Sequence, residues 1–270
     1  MILSIITVNK NNSYGLRKTM LSVVQQSFSD FEYIIIDGNS SDNSVDVIKE
    51  LLANSHFQSN WVSENDSGIY NAMNKGIKVA KGDYLLFLNS GDSFTDNDCL
   101  QKAFENRPES DIINARCNIV DSNNNIVWTS PYLPTITLKT LYSIGLPHQS
   151  TFIKRELFDR YGLYREDFRY NADIAFWYKA ILFGGATTTP LDLVITNYDQ
   201  NGISSTESKT KRYLEEMDII FNEGILPRVI PDYKEEREYR ETMKEFEWIV
   251  SSPKTRRFLG FLRKIFKHLR

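Results

Sequence analysis

An α/β fold on a mostly parallel sheet is what this sequence predicts, and three observations predict it. Apolar, β-rich runs at residues 3–8, 31–36, 61–63 and 84–88 alternate with helix-patterned segments. That alternation is the order produced by parallel strands joined through right-handed crossovers. Each run stops in small polar residues: Asn9-Lys10-Asn11-Asn12, Asp37-Gly38-Asn39-Ser40-Ser41-Asp42, Glu64-Asn65-Asp66-Ser67-Gly68 and Asn89-Ser90-Gly91-Asp92. Three of these loops carry an acid, Asp37, Asp66 and Asp92. Loops after successive parallel strands fall on one rim of the sheet, where such folds bind ligands. A single loop acid is often only a turn former; its recurrence is what points to a site.

The elements follow in chain order. Residues 3–8 form a strand ending in a polar loop. Over 16–26, Leu16, Met20, Leu21 and Val24 recur at helical spacing. Residues 31–36 form a second buried strand. Asp42 caps the next helix, whose inner face is Val45, Val47, Ile48, Leu51 and Leu52. A short strand at 61–63 precedes a helix over 69–79, with Gly82 past its end. The unbroken apolar run 84–88 suits a strand covered on both faces. Farther on, 111–120 and 126–130 flank Asp121-Ser122-Asn123-Asn124-Asn125 as a hairpin. A short helix at 138–144, a strand over 147–153 entering a helix at Arg155, a loop at 164–170 and a helix at 172–183 come next. Residues 187–198 hold another strand, and helices are predicted over 207–222, 233–250 and 255–270.

Composition narrows the function classes. The chain has 270 residues and is 41% hydrophobic, so it builds a core rather than staying disordered. Its 32 basic and 35 acidic residues leave a net charge of −3, which speaks against a nucleic-acid partner. Two cysteines, Cys99 and Cys117, are too few for a disulfide framework and fit a reducing compartment. The first apolar run lacks a basic leader and is too short for a signal peptide. No apolar run approaches the length of a membrane span. The expectation is a cytoplasmic protein that is not integral to a membrane. There is neither a Gly-x-x-x-x-Gly-Lys loop nor a Gly-x-Gly-x-x-Gly fingerprint, which counts against P-loop and dinucleotide enzymes.

Six segments in order carry a family likeness. They are Ser4-Ile5-Ile6-Thr7-Val8-Asn9, Ile35-Ile36-Asp37-Gly38-Asn39-Ser40-Ser41-Asp42, and Asp66-Ser67-Gly68-Ile69-Tyr70-Asn71-Ala72-Met73-Asn74-Lys75-Gly76. Then come Gly82-Asp83-Tyr84 with Leu88-Asn89-Ser90-Gly91-Asp92, His148-Gln149 and Ala172-Asp173. Across roughly residues 1–205 the chain resembles the inverting glycosyltransferases of family 2, in particular the bacterial enzymes that build capsule, O-antigen and other cell-surface polysaccharides. The resemblance implies the GT-A fold, a Rossmann-like, mostly parallel sheet flanked by helices. It divides the chain into a glycosyltransferase domain at 1–205, with a nucleotide-binding half at 1–115 and an acceptor half at 116–205, and a helical extension at 206–270.

The same resemblance implies roles. Thr7, Val8 and Asn9 lie where the family cradles the base of a nucleotide-sugar donor, and Asp37 matches the acid that bonds uracil or another base. Asp66, Gly68, Tyr70 and Asn74 line the floor under the ribose and diphosphate. Asn89, Ser90, Gly91 and Asp92 stand in place of an Asp-x-Asp motif, with Asp92 as the ligand of Mg2+ or Mn2+ and Asn89 replacing a common Asp. Asp173 matches the base that takes the proton of a glycan or lipid-linked acceptor; the weaker alternative is that it is simply an acid at a helix start. The second acid often found two residues on is Ala175 here. His148 and Gln149 are placed to bond acceptor. Trp177 and Phe176 either stack on an acceptor sugar or belong to the helix core. Where many relatives have a metal-binding His after the last strand, this chain has Tyr198-Asp199-Gln200-Asn201-Gly202-Ile203-Ser204-Ser205, leaving Asp199 or Ser204 as substitutes.

The chemistry is coherent by itself. Cleaving a sugar–diphosphate bond leaves negative charge on the departing nucleotide, which a cation held by one carboxylate and the diphosphate offsets. A base is also needed for the incoming hydroxyl. Residues 254–270 interleave Lys254, Arg256, Arg257, Arg263, Lys264, Lys267 and Arg270 with Phe258, Leu259, Phe261, Leu262, Ile265, Phe266 and Leu269. This pattern fits an interfacial helix on the inner face of a membrane or a helix packed on the domain.

Overall fold

The computed structural model describes residues 1–53, 55, 57–106, 108–199, 211–222, 226–251, 254, 255 and 257. Its strands are β1 (Leu3–Asn9), β2 (Phe31–Asp37), β3 (Gln58–Ser63), β4 (Tyr84–Phe87), β5 (Ser93–Phe94), β6 (Ile112–Val120), β7 (Ile126–Thr129), β8 (Thr151–Lys154) and β9 (Thr188–Asp199). The helices are α1 (Ser13–Val24), α2 (Ser44–Leu52), α3 (Ile69–Val79), α4 (Cys99–Phe104), α5 (Leu138–Ser143), α6 (Glu156–Tyr161), α7 (Ala172–Trp177), α8 (Lys211–Asn222) and α9 (Leu226–Ser251). α7 runs on into a π-helical turn, Tyr178–Phe183. The chain forms two compact units, Met1–Glu216 and Met217–Arg270.

One sheet has the order β3-β2-β1-β4-β8-β6-β9-β5, with β7 paired to β6. β1 lies between β2 and β4 and runs parallel to both, and β3 runs parallel to β2. β8 is antiparallel to β4 and β6. Register puts Asn9 opposite Asp37 and Asp37 opposite Ser63, so the three strand ends share one rim. β1, β2 and β4 are buried along their whole length, as strands covered on both faces must be. Leu16, Met20 and Val23 of α1 and Val47 and Ile48 of α2 join Leu3, Ile5, Tyr33, Ile35 and Leu86 in the core. Cys99 and Cys117 are free and buried; burial pushes their thiols up to about 12 and about 11.

Three departures from expectation have local causes. His148 and Gln149 lie in a 3-10 turn, His148–Ser150, ahead of β8 and not in the strand. The Pro147 carbonyl accepts both the Ser150 N–H (3.1 Å) and the Thr151 hydroxyl (2.8 Å), which tightens the chain there. α4 and β5 occupy a stretch with no assignment from sequence; at six and two residues they are too short to show a period. α9 begins earlier than expected and extends through Pro231. Of the helix expected over 255–270, residues 256 and 258–270 lie outside the described residues. Among the described residues no helix is long and apolar enough to cross a membrane.

Two buried polar groups pin the parallel strands. Glu32, 2% exposed, accepts the Ser4 hydroxyl (2.6 Å) and the Lys81 N–H (2.5 Å), while Ser4 Oγ accepts the Gly82 N–H (2.8 Å). A Cβ on Gly82 would stand 2.5 Å from the Ser4 backbone nitrogen, so only glycine lets the turn close against β1. At the other end, Asp37 is wholly buried. Its Oδ1 accepts Asn9 Nδ2 (2.7 Å) and Ser40 Oγ (2.6 Å); its Oδ2 accepts the Ser40 N–H (2.9 Å) and Ser63 Oγ (2.6 Å). Burial pushes this carboxyl up, but the bonds from Ser40, Ser63 and Asn9 outweigh it and hold it below the usual carboxylate range.

Two outcomes follow. Gly82→Ala should cost about 1–3 kcal/mol through overpacking, read as a lower urea midpoint at unchanged m-value. Asp37→Asn should cost about 3 kcal/mol at pH 7, since bonds to a charged acceptor contribute about 1.5–3 kcal/mol each. Because the folded pKa is depressed, wild type has this contribution in full above the unfolded value of about 4 and loses it as pH falls through the folded value. The gap between the two proteins should therefore narrow in urea titrations below about pH 4.

Candidate active site

The loop after β4 is shaped from the backbone outwards. The Ser90 N–H donates to the Val8 carbonyl (3.1 Å) and the Asp92 N–H to the Asn89 carbonyl (3.0 Å). Gly91 has φ +109°, a value that disfavours any side chain. Its N–H donates to Thr19 Oγ1 (2.9 Å), and that hydroxyl lies 2.6 Å from the Asp92 carbonyl. Thr19 is thus the staple of the loop. The sequence signal for it is a hydroxyl on the apolar face of α1, between Leu16, Met20 and Val23.

Asp92 is 4% exposed, and its Oδ1 accepts the backbone N–H of Asp199 at the end of β9 (3.1 Å). Burial pushes the Asp92 carboxyl up to about 7; nearby His148 and the Asp199 N–H work against this, and the Asp199 carboxylate works with it. Asp199 Oδ2 lies 3.6 Å from where a Gly91 Cβ would be. Asn89 Oδ1 is buried with no hydrogen-bond partner among the described residues. Among the described residues no three His, Cys, Asp or Glu side chains form a metal cluster. The Asp199 carboxylate reaches the Gly91–Asp92 end of the loop. Two neighbouring carboxylates, with an orphaned amide oxygen on the same loop, suit a hard divalent cation.

His148 joins this loop to α7. Its Nε2 is 3.2 Å from Asn89 Nδ2, and its Nδ1 is 3.2 Å from Asp173 Oδ2. Burial pushes the imidazole down, but the bond to and the charge of Asp173, with the charge of Asp92, hold it above its usual value. Asp173 stands in the first turn of α7, its side chain 15% exposed. Its Oδ1 lies 3.1 Å from the Tyr70 hydroxyl, which is 2.7 Å from the Tyr170 carbonyl. Tyr70 is buried, and burial together with Asp173 pushes its phenol well up.

The remaining expected residues divide into rim and support. Asn9 and Ser40 stand at the rim beside Asp37, and Lys10 donates to the Gly38 carbonyl (2.7 Å). Val8 is buried just behind. Asp66 pairs with Lys75 (2.9 Å), and Gly68 is exposed ahead of α3. Gln149 is buried. Three expectations are corrected. Thr7 does not face a base pocket: it is fully buried, its hydroxyl spent on Tyr33 (2.9 Å) and the Leu88 carbonyl (2.7 Å). Asn74 does not line a donor floor: its amide brackets Tyr164, accepting the N–H (3.0 Å) and donating to the carbonyl (2.9 Å). Trp177 is not an acceptor platform: it is wholly buried, edge-on to Phe176, which stacks on Phe158 at 4.5 Å. Core burial of so large a ring outweighs presenting it to solvent. Ser204 and the rest of 200–210 lie outside the described residues.

Comparison with known proteins gives these contacts a family. The model of glycosyl transferase family 2 matches residues 4–164. A Mycobacterium tuberculosis glycosyltransferase named as uncharacterised is 32% identical over 75% of this chain and 76% of its own. A PGL/p-HBAD biosynthesis glycosyltransferase of Mycobacterium bovis is 28% identical over 82% of this chain and 86% of its own. Among solved structures, S. aureus TarS 1-349 in complex with UDP-GlcNAc aligns with TM-score 0.64 at 19% identity, over 82% of this chain and 67% of that one. The chain spans only 40% of a longer TarS chain. Mannosyltransferase PcManGT from Pyrobaculum calidifontis, with GDP-Man and Mn2+, aligns with TM-score 0.62 at 16% identity, over 82% of this chain and 64% of that one. The sheet with its flanking helices is thus a GT-A fold, and the chain is a glycosyltransferase that belongs to glycosyl transferase family 2.

Proposed function

We propose that this enzyme transfers a sugar from a nucleoside diphosphate donor, a UDP-sugar, to a hydroxyl of a glycan or lipid-linked acceptor. Transfer inverts the anomeric centre and serves bacterial surface-polysaccharide biosynthesis. The observation that carries this reading is the His148 bridge, which brings the Asp173 carboxylate to the loop that bears Asp92. An acid for the donor end and a base for the acceptor end then converge on one place. The donors of TarS and PcManGT, UDP-GlcNAc and GDP-Man, support the substrate class.

In this reading Asn9, Ser40 and Lys10 meet the base, held in place by Asp37, whose own oxygens are already occupied. Asp92 and Asp199, with Asn89 Oδ1, would hold Mg2+ or Mn2+. Such an ion, when bound, supplies positive charge against the departing diphosphate. Asp173 takes the proton of the acceptor hydroxyl as that oxygen attacks the anomeric carbon from the side opposite the nucleotide. His148 and Tyr70 aim the two Asp173 oxygens, so the carboxylate spends no reorganisation at the moment of reaction. The basic and apolar residues of 254–270 support docking on anionic lipid, at about 1 kcal/mol per basic side chain, where a lipid-linked acceptor resides.

A thermal-shift screen of UDP-, GDP- and dTDP-sugars with and without Mn2+ tests the donor end. The preferred donor should raise the melting temperature by mass action only when metal is present, and Asp92→Asn should abolish that metal-dependent rise. For the acceptor end, Asp173→Asn should cut turnover about 100-fold or more and leave the donor-induced shift intact. Full turnover in that variant would remove Asp173 as the base.

A further inference from the structure

We infer that Glu216 is a positioning residue for the transfer step: it fixes the turn at 169–171 that delivers Asp173 to the site. The inference rests on Asp173 being the base. Glu216 lies on α8, beyond the residues matched by the family model, and is 1% exposed. Its Oε1 accepts the Arg169 N–H (2.7 Å), and its Oε2 accepts the N–H groups of Tyr170 (3.0 Å) and Asn171 (3.1 Å). Three successive backbone donors converging on one carboxylate form an anion nest, here filled from within the chain.

The nest is braced on its other side. Arg212, one turn earlier on α8, places Nε 3.0 Å from Glu216 Oε1 and also donates to the Asp167 carbonyl. Asn171 Nδ2 donates to the Tyr213 carbonyl (3.1 Å). A carboxylate buried this deeply is tolerated only when fully bonded, and the three N–H groups with Arg212 supply those bonds.

The link to chemistry runs through two atoms. The Tyr170 carbonyl, in the middle of the nest, takes the Tyr70 hydroxyl that also faces Asp173 Oδ1. Asn171 immediately precedes the helix on which Asp173 sits. A turn released from Glu216 shifts the carboxylate and the phenol that aims it, and displacement of about 1 Å in a reacting group can cost about 100-fold in rate. Asn9, Lys10 and Ser40 bond one another, Asp37 and Gly38 rather than this turn, so binding of the nucleotide's base is spared.

The test is steady-state release of UDP, with water as acceptor, from UDP-GlcNAc and Mn2+, or release of the corresponding nucleotide from whichever sugar nucleotide of the screen gives the largest shift. Glu216→Gln turns an amide N–H2 toward backbone donors while keeping shape. It should lower kcat at least tenfold with donor KM and donor-induced thermal shift within twofold of wild type. A merely structural role would lower donor affinity and kcat together, or neither, and either result overturns the inference. Should Glu216→Gln lose its cooperative melt, Arg212→Met, at a half-exposed position, decides the matter. A threefold or larger fall in kcat at unchanged KM supports the inference, and unchanged kcat overturns it. Asp173→Asn run in parallel separates the two readings: if it keeps turnover, the base assignment fails, whereas an inactive Asp173→Asn beside a fully active Glu216→Gln removes only the role of Glu216.

Discussion

The imidazole of His148 is the contact on which the arrangement of the site depends. It spans the gap between the end of the parallel sheet and the start of α7, with one nitrogen on Asn89 and the other on Asp173. Its two bonds are chemically coupled. With the proton on Nδ1, Asp173 receives it and Nε2 accepts from the Asn89 amide, which leaves Asn89 Oδ1 without a partner among the described residues. A doubly protonated ring would instead require the amide to turn its oxygen toward Nε2. The orientation of one amide is thus tied to the charge of a neighbouring ring. The tight turn after Pro147 matters for the same reason, since an extended strand there would carry the imidazole past both partners.

Around that bridge, several polar residues work at one remove. Asp37 has the position of a ligand contact but the bonding of a rivet, with four donors joining β1, β2, β3 and the loop after β2. Asn74 clamps the loop that leads towards α7, and Thr19 shapes the loop after β4. These groups sit behind the residues that would meet a ligand and fix where those residues point. Such rigidity favours ligand binding, because binding energy is not spent on ordering the protein.

The parallel half was legible because its signals are local. Four buried runs each end in a polar loop, and once they pair in parallel the loops must share an edge, so Asn9, Asp37, Asp66 and Asp92 come together without any long-range information. The second half was less legible for physical reasons. β5 and α4 are too short to show a period, and the 3-10 turn at His148 depends on two bonds to a single carbonyl. Thr7 and Trp177 have residue types that suit either a pocket or a core, and only the packing of Tyr33 or Phe176 against them decides. Glu216 gave no signal of this role: the backbone N–H groups it holds lie 45–47 residues earlier, and an acid four residues after Arg212 on a charged helix looks like a solvated one until the turn it fills is seen.

The two buried cysteines have a use that follows from their chemistry. Alkylating reagents consume the thiolate, and neither sulfur ionises appreciably near neutral pH while enclosed. Each becomes reactive only when its own surroundings part. Cys99 lies on the short helix α4 and Cys117 within the central strand β6. The molecule thereby carries two native clocks, and the ratio of their labelling rates reads whether a peripheral helix and a core strand open together or one at a time.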